Sequence, residues 1–110
     1  MSRELVVLTR EQPDLEAFPA LVSSVDAELK VFGACVFDTQ DRLLVRVQEP
    51  VLIRVPGEVE RLLGTTAEPP VWWLELRAAS DPVEAEWIAR HCADALATRH
   101  DGTVWSESAT

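Results

Sequence analysis

The chain has 110 residues, 47 % of them hydrophobic and 26 % charged, with 19 acidic against 10 basic side chains and a formal net charge of −9. That balance fits one globular domain able to bury roughly two thirds of its unfolded surface, and it excludes a disordered chain. Strong acidity opposes the attraction that binds phosphate backbones, so nucleic acid and anionic membranes are poor partners and a basic protein is a better one.

No stretch approaches the ~18 apolar residues of a membrane span, and the apolar run near the N-terminus is too short for a signal peptide, so a cytoplasmic protein is expected. Leu5 to Thr9 reads as a first strand, closed by the polar residues Arg10 to Asp14. Leu15, Phe18, Leu21, Val22, Val25 and Leu29 then recur at the spacing of an amphipathic helix. A proline inside a helix loses a hydrogen bond, so Pro19 predicts regular turns from about Phe18, after a looser turn.

Val31 to Phe37 and Leu43 to Val47 flank the polar group Asp38 to Asp41 as a hairpin. Alternation puts Leu43, Val45 and Val47 on one face, with Leu44, Arg46 and Gln48 on the other. Glu49 and Pro50 interrupt. Val51 to Val55 resumes with Val51, Ile53 and Val55 inward and Leu52 and Arg54 outward. A proline there permits a tight reversal or one long bulged edge strand, and the pattern is taken as a reversal.

Pro56 and Gly57 open a short helix, Glu58 to Leu63, with Val59, Leu62 and Leu63 as its apolar side and Gly64 as its stop. Val71 to Ala78 is a strand containing adjacent tryptophans. Asp81-Pro82-Val83-Glu84 carries the signals of a helix start, with Asp81 as N-cap, and the helix should run to about Arg99. Thr103 to Trp105 ends the domain as a short strand, with residues 106–110 as a flexible tail and 1–105 as a single domain. The order implies an α+β fold: a mainly antiparallel sheet with two long helices on one face. The nearest template is the ferredoxin-like βαββαβ plan with an added strand and short helix.

Catalytic chemistry has little support. In the last helix Ala85, Ile88, Cys92, Ala95 and Leu96 gather on one apolar side, which makes Cys92 a small core residue instead of a nucleophile. Trp87 and His91 fall together on its flank as a boundary pair. His91, Cys92, His100 and Asp101 match no metal-ligand spacing, so no metal is expected. Most of the carboxylate groups lie near helix starts, where the dipole favours them, and with four glycines and no phosphate-cradling motif no cofactor is expected.

The sheet's second face is the first candidate site. Trp72, Leu74, Leu76 and Ala78 form a core row, while Val71, Trp73, Glu75 and Arg77 face the other way and join Arg46, Arg54, Leu44 and Leu52. Tryptophan and arginine predominate at binding hot spots, so Trp73, Glu75, Arg77, Arg46, Arg54 and Leu52 form the expected partner surface. Asp81, Glu84, Glu86, Trp87 and His91 form a rival acidic surface. The expected function is a non-enzymatic, acidic protein that inhibits a basic partner, in the manner of an immunity protein or antitoxin. The alternatives are a homodimeric ligand-binding or regulatory module with face-to-face sheets, and a small enzyme using His91 and nearby carboxylates.

Overall fold

A central strand buried on both faces organises the protein. In the computed structural model, which describes residues 3–106, β1 (Arg3–Thr9) has five consecutive buried residues from Leu5 to Thr9. Leu5 and Val7 enter a main core on one side, Val6 and Leu8 a smaller core on the other. That double burial accounts for the unbroken apolar run LVVL, since a strand with only one covered face would alternate.

After β1 come a 3-10 turn (Leu15–Ala17), α1 (Phe18–Val25), β2 (Lys30–Phe32), β3 (Cys35–Phe37), β4 (Leu43–Val47) and β5 (Val51–Ile53). They are followed by α2 (Glu58–Leu63), β6 (Val71–Ala78), α3 (Glu84–Arg99) and β7 (Gly102–Ser106). Across the sheet the order is β2-β3-β4-β6-β1-β7, with β5 also beside β6, and the pairings among the described residues are antiparallel. The fold is thus α+β with a largely antiparallel sheet. Residues 107–110, most of the expected tail, lie outside the described residues, while Ser106 closes β7.

The two longer helices cover the main core. Phe18, Leu21 and Val22 of α1 meet Ile88, Cys92 and Leu96 of α3 over Leu5, Val7, Leu74 and Leu76. Ala85, Ala89, Ala93 and Ala97 repeat every four residues along the buried side of α3, so small side chains let the helix lie close to the sheet. As Pro19 predicts, regular helix begins at Phe18 after the 3-10 turn. The helix ends at Val25, because Asp26 is extended and its carboxylate instead accepts the Glu28 N–H at 2.9 Å. At the other helix, Asp81 is not an N-cap: α3 starts at Glu84, Val83 occupies the cap position without a side-chain bond, and the Ala85 N–H donates to the Pro82 carbonyl at 3.0 Å.

Three local reversals of register correct the strand reading. First, Val31 to Phe37 is not one strand: Gly33, at φ +63°, turns it into a tight hairpin that pairs Phe32 with Cys35. Second, Val36 pairs with Val45 but Phe37 with Leu43, a bulge that leaves Leu44 unpaired and turns it into the main core beside Val45. Third, the chain does not reverse at Pro50. β4 and β5 run along the same edge of β6, Val47 opposite Leu76 and Val51 opposite Trp73.

Four steps along one strand therefore match three on its partner. One extra residue exchanges the faces of everything beyond it. Val51 and Ile53 lie on the side of Trp73 and Val71, and Leu52 lies on the side of Trp72, the opposite of strict alternation. This exchange also builds the second core: Val59 of α2 packs with Val6, Leu8 and Val71, and Ile53, Leu63, Trp73 and Trp105 close around them. The second face is thus covered at one end by α2 and open at the other.

Candidate functional site

Trp73 lies under that cover. Its neighbours across the sheet are Leu8 and Val51, it is half-buried, and its Nε1 donates to Glu75 Oε1 at 3.0 Å. An indole already packed and hydrogen-bonded has little left to offer a partner. Trp72 differs from its expected place as well: it is half-buried and outside both apolar clusters, opposite Leu52 and Thr9, at the end of β6 beyond Leu74.

The expected sheet surface is accordingly divided. Trp73, Glu75, Arg77 and Arg46 share the second face, Leu52 points to the opposite one, and Arg54 is exposed just past β5. Arg77 Nη2 donates to Glu4 Oε2 at 3.0 Å, joining β6 to β1. Leu44, buried in the main core, is no part of it.

The residues of the rival surface come closer together. Val83, Trp87 and His91 recur every four residues on the outer side of α3, which places them in one stripe. Val83 is 78 % exposed and Trp87 55 %, unusual for large apolar side chains. The Trp87 and His91 rings stand 4.2 Å apart at 47°, and among the described residues the His91 side chain has no hydrogen bond or ion pair. Glu86 is occupied by Arg3 at 3.2 Å, whereas Asp81 and Glu84 are exposed.

Glu84 is a helix-surface neighbour of Trp87, three residues away, and it also lines a cleft of about 230 Å³. Asp26 and Glu28 after α1 and the β3–β4 turn form the other walls. Asp38 in that turn accepts the Gln40 and Arg42 N–H groups, each at 2.9 Å, and Arg42 Nε at 2.7 Å. The Arg42 N–H, followed by its guanidinium and the Gln40 N–H, holds the Asp38 carboxyl below the usual carboxylate range. Glu28 and Glu84 have no ion pair among the described residues. The cleft is therefore negative, with one wall stiffened by the turn. The convergence of Asp26 and Glu28 with Glu84 depends on how α1 packs against α3, which no local pattern encodes.

Chemistry of other kinds finds no such assembly. Cys92 is fully buried and burial pushes its thiol up to about 11, so the thiolate is strongly disfavoured. His100, also buried, accepts the Asp14 N–H on Nε2 at 3.3 Å and ties the 3-10 turn to the end of α3. Among the described residues no group of three or more His, Cys, Asp or Glu side chains is placed to hold a metal. No helix among them is long and apolar enough to cross a membrane. Comparison with known proteins gives no match: no family model, no curated protein and no solved structure is significantly similar to the chain.

Proposed function

We propose that the protein is a non-enzymatic inhibitor of the immunity-protein or antitoxin type, which acts in the cytoplasm by binding and blocking a basic partner protein. One observation carries this reading: the exposed Trp87–His91 pair shares a side of α3 with Glu84, which lines the acidic cleft. An aromatic anchor next to unpaired carboxylates fits a cationic surface with an apolar pocket. The net charge of −9 extends that attraction beyond contact range and speeds encounter. The fold is read as a ferredoxin-like βαββαβ plan carrying two insertions, the β2–β3 hairpin and β5 with α2. Support comes from the order β4-β6-β1-β7, which is second, third, first, fourth once β2, β3, β5 and α2 are set aside, with α1 and α3 as the two crossovers.

The test is capture of partners from the native host by wild type, Trp87→Ala and Glu84→Lys in parallel. A one-to-one complex with a basic protein is expected, formed more slowly as salt rises and weakened by either substitution. Association indifferent to salt and to both changes would remove the proposal.

A further inference from the structure

The uncovered end of the second sheet face brings two arginines together. Arg46 on β4 lies directly opposite Arg77 on β6. Like charges in that position destabilise a sheet. Glu4 pairs with Arg77, and Glu75, the next carboxylate on this face, accepts the Trp73 indole N–H and forms no ion pair with either arginine among the described residues. Arg46 is exposed and has no ion pair among the described residues.

Leu43, Arg46 and Arg77 together line a cleft of about 220 Å³. The bulge that buries Leu44 and Val45 together is what places Leu43 and Arg46 on the same outer side. Farther along the row, Phe32 pairs with Cys35 and Cys35 with Arg46, so Phe32 shares this face about 10 Å away. Phe32 is 82 % exposed, Leu43 38 %.

We infer that this end of the sheet binds a short acidic segment of a partner protein, whose carboxylate lies between Arg46 and Arg77 and whose apolar residues rest on Leu43 and Phe32. Guanidinium groups grip carboxylates through paired N–H donors. The acidity of the rest of the chain sets the size of the ligand. At physiological salt charges are screened over about 8 Å, so one or two carboxylates feel mainly the two arginines, while a long polyanion also meets the acidic surroundings. A second copy docked here face to face would bring its own Arg46 and Arg77 towards the first pair. The site is independent of the Trp87 surface, since α3 and this face lie on opposite sides of the sheet.

A fluorescein-labelled hexapeptide of alternating aspartate and leucine tests the assignment by anisotropy, with an asparagine–leucine peptide as control. Wild type should bind the acidic peptide and not the control, and Arg46→Gln should weaken binding about tenfold or more. Arg46→Gln should leave the melting temperature unchanged or raise it, because it removes a like-charge pair, so lost binding cannot be ascribed to unfolding. Equal binding of the two peptides, or equal binding by wild type and Arg46→Gln, would overturn the inference. So would a wild-type dimer in light scattering that Leu43→Asp dissociates, which would assign the face to a second copy.

Discussion

Cys92 sits among Ile88, Leu96 and the strands of the main core, and its burial has two measurable consequences. With the thiol pushed up to about 11 from an ordinary value of 9.0, the folded protein holds this proton in a range where the unfolded chain releases it. Stability should therefore fall as pH rises from about 9 to 11, by up to roughly 2 to 3 kcal/mol. Urea titrations at both ends of that window should show the loss in wild type and less of it in Cys92→Ala. Alkylation at pH 8 should modify half-buried Cys35 and spare Cys92 until the protein is unfolded. Trp73 makes a second case. It closes the small core and donates to Glu75, so Trp73→Ala should cost about 2 to 3 kcal/mol, and Trp73→Phe about 1 kcal/mol, in chemical denaturation. A Trp73→Ala protein as stable as wild type would mean that α2 does not hold the indole.

At the scale of elements, the least forgiving junction is where β7 returns along β1. A Cβ on Gly102 would run into the Leu8 carbonyl oxygen and lie 2.9 Å from the Thr9 Cα, and these β1 backbone atoms cannot rotate away as a side chain could. Gly102→Ala should accordingly lower stability by about 2 to 3 kcal/mol or more, visible as a lower thermal midpoint. The extra residue between Val47 and Val51 is the other sensitive point. Deleting Glu49 alone would leave three steps against three and keep Val51 and Ile53 on the second face. Deleting Glu49 and Pro50 together should leave two, turn Val51 and Ile53 to the helix side under strict alternation, and loosen α2. Hydrogen exchange in Glu58–Leu63 should then accelerate more than in α3. These same places mark the limit of what the sequence discloses. The helix start at Phe18, the stop of α3 at Arg99, the Glu58–Leu63 helix and the inward row Leu74, Leu76, Ala78 are each written in local periodicity, proline and glycine. Bulges are not, since one added residue leaves the apolar pattern intact while exchanging its faces, and so Leu44 and Leu52 were assigned to the wrong side. For the candidate site, pairing of Trp87 with His91 was legible from their spacing; Glu84 facing Asp26 and Glu28 was not, because it arises between elements distant in sequence.

For the whole molecule, charge is distributed in two unlike regions: a negative cleft beside α3, and an arginine pair on the reverse of the sheet within a chain of net charge −9. Self-repulsion of that magnitude opposes the compact state, and salt screens it. Salt also screens attraction, so the sign of its effect depends on how strongly the ion pairs hold the fold. Among the described residues there are six, each with at least one solvent-exposed partner, and such pairs contribute little. Repulsion should prevail. Raising sodium chloride from about 10 mM to 150 mM at pH 7.5 should increase the thermal midpoint by a few degrees, corresponding to a gain on the order of 1 kcal/mol. Near pH 4.6, where the net charge approaches zero, the same addition should have little effect. A midpoint that falls with salt at pH 7.5 would show that the ion pairs outweigh the repulsion, and the long-range steering assigned to the −9 charge would then have to be far weaker than its size implies.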